Sequence, residues 1–590
     1  MEEEEAVALG EAQQPLLDVA ATIPAMVFAQ VETHGGETII RRKDRGIWKI
    51  TTWNDLGRSV RQAAMALKDY GLKRGEVVCV LSPTTPAWVA TDLGVLSAGG
   101  ISAGLYTTEA PEQIQKALQE CRCRIVFAGG GEQLDTLLQL RASCPSLEKI
   151  VVYDAVALRG FSDPMCESFQ AFLARGEVYD ASHPNEWAAG LAALEGEDGA
   201  VLTLTAGTSG SAKGVLLSHR TILKQVAAAA SLLGQRAGDE RLAFLPMPHF
   251  MERVLGIYQA LYTRTVSNYV ESADSVGENL REVMPSVFCA PPRVWEQLYA
   301  AVTVAASEAT FLQRALFNWA IRGGFGAWLI LRGVRQRLGL DHVRIGCIGG
   351  APVSPALIRW YRALGIELVE FYGLSETAGL TMATRSDPAQ RGQLKQLVAG
   401  TELKISPTGE LLVRDENIFS GYWRGAGQPE RPAGTGWFPT GDSARMEGGV
   451  MRITGRAEDV ITTSSGTSIA PTELEAELKF SPYVADALVV AGAGGVLGAL
   501  VVIDHENVER WAQGRRLSFA GFTGLVRHDA VRELIEAEVA RVNGMFAEPI
   551  RSFRLIEHRL EPEDPELTPM MKLRRRFVSE KYRELIEGMY

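Results

Sequence analysis

VVCVLSPTTPAWVATDLGVLSAGGISAGLY, residues 77–106, contains a complete strand–helix–strand unit. The apolar run 77–82 reads as a buried strand, Thr85-Pro86 as an N-cap followed by the first helical position, and ISAGLY at 101–106 as the next strand. The rhythm extends in both directions. Upstream, Thr52 and Asp55 have capping-box spacing, and Leu56, Val60, Ala63 and Leu67 then recur at helical period until Gly71. Downstream come a helix from Glu112, the strand RIVFAG (124–129), a helix near 131–141 and the strand KIVVY (149–153). Strands alternating with helices predict a parallel sheet covered by helices, hence an α/β fold. No internal repeat or low-complexity segment interrupts it.

A chain of 590 residues is too long for one core, and its length predicts two to four domains. Its net charge of −11 argues against nucleic acid as a partner. Seven cysteines with no CxxC pair point away from a disulfide framework or zinc site, and MEEEEAVALG lacks the features of a secretory signal. A reducing, cytoplasmic compartment is expected. Residues 487–503, ALVVAGAGGVLGALVVI, run 17 positions without a charge. They imitate a membrane span or a dinucleotide fingerprint, yet read better as two strands joined by a tight turn at the glycines.

Residues 306–340 predict a helical region with Leu312, Leu316 and Trp319 on one face, followed by Trp328-Leu-Ile-Leu331 and the basic RGVRQR at 332–337. Two readings compete: a membrane-surface helix giving peripheral association, or a core-packing helix with a solvated polar face, the second preferred. After residue 455 the character changes to a strand, a charged RAED, a capped helix from Pro471, more strands and a final helix. This predicts a boundary near 456, with a large domain over 1–455 and a smaller α+β unit over 456–590.

The segment Leu202-Thr-Leu-Thr-Ala-Gly-Thr-Ser-Gly-Ser-Ala-Lys-Gly214 places glycines and hydroxyls beside Lys213 between two apolar strands. Such a loop can close backbone N–H groups on an anion, with Lys213 as a point charge. It lacks the GxxxxGK[ST] pattern of a Walker A loop. Further along stand Gly349-Gly350-Ala351-Pro352, then Phe371-Tyr372-Gly373-Leu374-Ser375-Glu376-Thr377. Trp437-Phe438-Pro439-Thr440-Gly441-Asp442, Ile453-Thr454-Gly455-Arg456 and Leu567-Thr-Pro-Met-Met-Lys572 follow. Each alone reads as a turn, strand end or basic tail; their order and spacing together are specific.

On these motifs the chain resembles the adenylate-forming superfamily of acyl-CoA synthetases, adenylation domains and luciferases, from about residue 25 to the end. It is most similar to long-chain fatty acyl-CoA synthetases, including the bubblegum type, through Trp48, Thr52-Trp53, Ala98-Gly-Gly, Gly104-Leu-Tyr-Thr-Thr108, Leu245-Pro-Met-Pro-His249, Glu252-Arg253 and Lys572-Leu-Arg-Arg. The resemblance implies a large, multi-layer N-terminal lobe with parallel sheets and a small mobile α+β C-terminal lobe. It also implies a two-step reaction. A fatty-acid carboxylate attacks the α-phosphate of ATP, giving acyl-AMP and pyrophosphate; the thiol of CoA then takes the acyl group.

By the same resemblance Thr205, Gly207, Thr208, Ser209, Gly210 and Lys213 hold the β- and γ-phosphates. Glu376 ligates Mg²⁺ through a hard oxygen, and Thr377 touches the α-phosphate. Tyr372 offers its face to adenine beside Gly373, with Gly350, Ala351 and Pro352 lining the other side. Asp442 accepts the ribose hydroxyls with help from Arg456. Lys572 and Lys213 are the catalytic cations, His249 lies near the acyl carboxylate or is structural, and Glu458 aligns with the hinge. Ala206 and Ala212 replace the usual Ser and Pro of the phosphate loop. Glu458, Ser465 and Thr467 depart from the family pattern on the CoA-facing side. Two other readings remain: an acyl-AMP ligase that loads a carrier protein, and a non-catalytic nucleotide-binding homologue. Chain-length preference and oligomeric state are open at this point.

Overall fold

The structure is a computed structural model that describes residues 20–590 apart from 206–212, 324–325, 388–391, 416–417, 426–428, 431–435, 448–449, 464 and 562. The opening unit forms as read. Strands Val77–Leu81 and Ile101–Leu105 pair in parallel, with every residue of both buried, as expected for strands covered on both faces. Between them lies the helix Pro86–Ser97, whose first turn is capped by Thr85 accepting from the Trp88 N–H at 3.3 Å. The preceding helix, Trp53–Asp69, carries the full capping box: Thr52 Oγ accepts from the Asp55 N–H and Asp55 accepts from the Thr52 N–H, both at 3.2 Å. These two helices touch at Gly94, where an added Cβ would lie 2.7 Å from that of Ala63.

Two large sheets carry the first three quarters of the chain. In one, the described strands run in the order 421–423, 213–218, 199–205, 101–105, 77–81, 125–128, 149–152, 166–168, parallel except at the first two. In the other, Val287–Ala290, Ile345–Gly349 and Leu368–Tyr372 run parallel at the centre, and the hairpin Met382–Asp387/Gly392–Leu397 closes one edge. One apolar core spans both sheets: Trp88, Val201 and Val215 from the first side meet Val287, Ile345 and Val369 from the second. The strands on either side of the phosphate-loop motif pair antiparallel, Thr205 opposite Lys213, so the motif is the connection of a hairpin.

Residues 484–503 form an antiparallel hairpin, with Val489 opposite Ala499, rather than a span or a dinucleotide fingerprint. Its turn uses Gly494 and Gly495 at φ +74° and +75°, a region that glycine enters without steric cost. With the strand Ser552–Leu555 and the helices Pro471–Lys479 and Asp529–Asn543, the hairpin builds its own core around Val489, Val501 and Ile535. The helix from Pro471 departs from expectation in one detail: no side chain caps it, and the neighbouring Thr472 hydroxyl donates to the Thr454 carbonyl instead. No described helix is long and apolar enough to cross a membrane.

The preferred reading of 306–340 holds for the inner side of the region, which packs on the core, and is corrected for its outer face, which is apolar rather than polar. Helices Phe311–Ile321 and Trp328–Leu338 form, but Leu312 and Trp328 are 77% and 60% exposed, and Leu316 and Trp319 are exposed as well. The inner side of the pair is made by Ala320, Ala327, Leu331 and Leu338. The stripe that the periodicity marked as core faces outward.

Candidate active site

Adjacent parallel strands bring the first two motifs together. Ile345–Gly349 and Leu368–Tyr372 pair with Gly349 opposite Phe371, so both release their loops at the same edge, where α/β sheets present ligand-binding loops. The approach is close: a Cβ on Gly349 would lie 2.4 Å from the Phe371 carbonyl oxygen. Gly350 follows at φ +81° and turns the chain towards Ala351 and Pro352, both half-buried. Gly373 is equally confined, with the Gly379 carbonyl oxygen 2.3 Å from where its Cβ would stand.

Asp442 and Arg456 are register partners on the strands Phe438–Glu447 and Val450–Arg456. The buried Asp442 carboxylate accepts from the Tyr372 hydroxyl at 2.7 Å and from Arg456 Nη1 at 3.0 Å. Burial pushes its pKa up, against the pull of those two donors. Arg456 Nε is buried and makes no hydrogen bond among the described residues, so this cluster has donor capacity left over. Tyr372, Asp442 and Arg456 therefore form one polar wall beside the Gly350 loop.

Glu376 sits in the short turn Ser375–Thr377. The turn is closed by the buried Thr377 hydroxyl, which accepts from the Leu374 N–H at 3.0 Å and from the Thr381 hydroxyl at 2.9 Å. The Glu376 carboxylate accepts from the Tyr422 hydroxyl at 3.0 Å, and Lys213 Nζ stands 5.2 Å from the centre of the same ring. Tyr422 is there because its strand pairs with the one that Lys213 begins, Tyr422 opposite Val215. Gly207, Thr208, Ser209 and Gly210 lie outside the described residues, as do Ala206, Ala212 and the side chain of Thr205.

Lys572 comes from the far end of the chain, and its Nζ donates to the Gly350 carbonyl. Its loop is tied back on itself, the Thr568 hydroxyl accepting the Lys572 N–H at 3.1 Å. Burial, aided by Lys479 and opposed by Asp486 and Asp442, pushes the ammonium down to about 8. His249 caps a short helix through Nδ1, which accepts from the Met251 N–H at 3.2 Å, so Nε2 carries the proton. Burial, with Lys572 adding to it, pushes this imidazole down to about 3, and it is neutral at neutral pH. Met251 links the two groups: its methyl lies 3.4 Å from where a Gly350 Cβ would be.

Glu458 is exposed in the turn Ala457–Asp459 directly after Arg456. The next residue holds that turn: Asp459 pairs with Arg575 at 3.2 Å, and Arg575 also reaches Glu475 at 2.5 Å and the Val489 carbonyl at 2.8 Å. Tyr422 and Asp459 are absent from the sequence reading. Only the spelling Gly421-Tyr422-Trp423 hinted at the first, and a charge in a charged run hides the second.

Comparison with known proteins places this geometry in context. Residues 27–423 match the family model described as AMP-binding enzyme. The chain is similar to the long-chain-fatty-acid–CoA ligase FadD15 of Mycobacterium bovis, 30% identical over 96% of this chain and 97% of that protein. It is also similar to the human long-chain-fatty-acid–CoA ligase ACSBG1, 25% identical over 96% of this chain and 85% of that one. Among solved structures, the adenylation domain of a carboxylic acid reductase from Segniliparus rugosus, in complex with AMP and a co-purified carboxylic acid, superposes with a TM-score of 0.76 at 19% identity, covering 98% of this chain and 94% of that one. The anthranilate CoA ligase AuaEII in complex with anthranoyl-AMP superposes at 0.72 and 20% identity, covering 97% and 99%.

Proposed function

Because this chain belongs to the AMP-binding enzyme family, we propose that it is a long-chain fatty acid–CoA ligase working through an acyl-adenylate. The observation that carries this reading is the arrival of Lys572 at the Gly350 loop, next to the Tyr372–Asp442–Arg456 wall and the neutral His249. A nucleotide held there has its adenine against Tyr372, Gly373 and the 350–352 turn. Its ribose hydroxyls donate to Asp442, which Arg456 keeps in place. Its outer phosphates extend towards Lys213.

The chemistry requires two anions to meet. A carboxylate oxygen attacks the α-phosphorus, and the bond from that phosphorus to the pyrophosphate oxygen breaks. Positioned cations and N–H donors lower the barrier because their orientation is fixed before charge moves. Lys572 neutralises charge at the α-phosphate, and Thr377 lies within the same turn as Glu376. His249 Nε2–H orients the incoming carboxylate as a neutral donor, which does not compete with Lys572 as a second cation would. Glu376, a hard carboxylate steered by Tyr422, suits Mg²⁺, which when bound spreads the charge of the outer phosphates.

For the second step, the segment after 456 turns as a unit about Glu458, removing Lys572 from the site. The CoA sulfur then attacks the acyl carbonyl, AMP leaves, and the thiol proton is lost to solvent.

Pyrophosphate release from ATP and Mg²⁺ over a panel of carboxylic acids from C6 to C24, with and without CoA, tests the reading. Release that favours long chains and rises with free CoA supports it. No release with any acid would overturn it, and release indifferent to free CoA would assign the acyl group to a carrier protein.

A further inference from the structure

We propose that the helical pair Phe311–Ile321 and Trp328–Leu338 is a docking surface for an anionic lipid bilayer. Six large apolar side chains project from it into solvent: Phe311, Leu312, Leu316, Trp319, Trp328 and Leu329. On the first helix, positions 311, 312, 316 and 319 fall within one stripe, a periodic face that is exposed among the described residues. The pair is nevertheless anchored, because its opposite side packs Ala320, Leu331 and Leu338 into the core. The exposed face is therefore a fixed feature of the folded surface rather than a frayed end.

Charge identifies what covers it. Residues 309–340 contain five arginines, at 314, 322, 332, 335 and 337, and no lysine, aspartate or glutamate, in a chain whose net charge is −11. Arg332 and Arg335 are partly compensated by Asp341, at 3.0 and 3.3 Å. Arg322 and Arg337 are exposed, and Arg314 reaches only the Ser307 and Ala309 carbonyls. Large apolar residues rimmed by arginine, with two tryptophans among them, suit the boundary between headgroups and acyl chains. A second copy of the same face would set arginines against arginines, which disfavours self-association. Each helix has 11 residues, too few to span, so the pair lies in the interface plane. The docking rests on this surface alone; only its use, collecting a fatty acid from the bilayer, rests on the acyl-ligase reading.

Sedimentation of the full-length protein with vesicles of phosphatidylcholine alone, or of phosphatidylcholine with phosphatidylglycerol, tests it. The parent should pellet with the anionic vesicles, less with the neutral ones, and less at high salt. Arg322→Gln with Arg337→Gln should weaken partition to anionic vesicles about 25-fold, roughly fivefold per arginine. Leu316→Asp with Trp328→Asp should weaken partition to both compositions about a hundredfold. Both double variants should keep the parent's thermal midpoint, since the altered side chains are exposed. A parent that stays in the supernatant, or variants that bind as the parent does, would overturn the proposal. So would a parent that runs as a dimer and becomes a monomer on Leu316→Asp with Trp328→Asp, which would give the face to a second copy.

Discussion

Glu376 is steered by a phenol: the Tyr422 hydroxyl holds one carboxylate oxygen while the Tyr422 ring stands beneath Lys213. A neutral donor fixes the carboxylate without cancelling the charge that a metal needs. Tyr422→Phe keeps the ring and removes only that hydrogen bond to a charged group, an interaction of about 1.5–3 kcal/mol. Adenylation should fall about tenfold or more, with a higher Mg²⁺ requirement, and Glu376→Gln should abolish it. Unchanged Mg²⁺ dependence in both would remove the pair from the metal site. Lys572 offers a second test at this scale. Its folded-state pKa is depressed to about 8, so the ammonium is present below that pH and lost above it. The kcat/KM for adenylation, which reports the free enzyme, should decline above about pH 8. Lys572→Arg, which stays charged, should remove that limb whatever its overall rate. A parent profile flat to pH 10 would contradict the assignment. Motif spelling made Asp442, Arg456, Glu376 and Lys572 legible. Tyr422 was not, because its place depends on strand 421–423 pairing back onto 213–218 across some two hundred residues.

Among elements, the strand–helix rhythm of 77–153 and the hairpin within 484–503 were readable because buried strands and their turn glycines leave local signatures. The 306–340 region shows where that stops. Periodicity reports that a helix has an apolar face, whereas what covers the face is a tertiary fact, and here the inner side is supplied by Ala320 and Leu338 instead. The turn after Arg456 is the other element of consequence. Glu458 is exposed, while Asp459 ties the turn to Arg575, so position 458 can change backbone angles without breaking a buried pair. Proline there fixes φ near −65° and restricts the turn. Glu458→Pro should therefore keep acyl-AMP formation and lose acyl-CoA formation. Equal loss of both half-reactions would place the hinge elsewhere or signal misfolding.

Across the whole molecule, the two large sheets share one core, whereas the segment after 456 has a core of its own and meets the rest through polar and aromatic contacts. Ser354 donates to Glu477 at 2.8 Å, Tyr299 stacks on Phe480 with ring centres 4.6 Å apart, and Arg293 donates to the Ala485 carbonyl. Polar and aromatic contacts of this kind can be exchanged for others, which suits the two-position mechanism proposed above. Composition alone suggested the change of character near 456, but nothing in it could show that Lys572 returns to Gly350, a contact between residues 222 positions apart. That contact is the centre of the account, and the two half-reactions of Lys572→Ala test it most directly. Loss of a preorganised cation at the α-phosphate should slow acyl-AMP formation from ATP and fatty acid about 10²–10³-fold. Supplied acyl-AMP and CoA should still give acyl-CoA at close to the parent's rate. Survival of both half-reactions would remove Lys572 from the chemistry, and an equal fall in both would contradict the two-position mechanism.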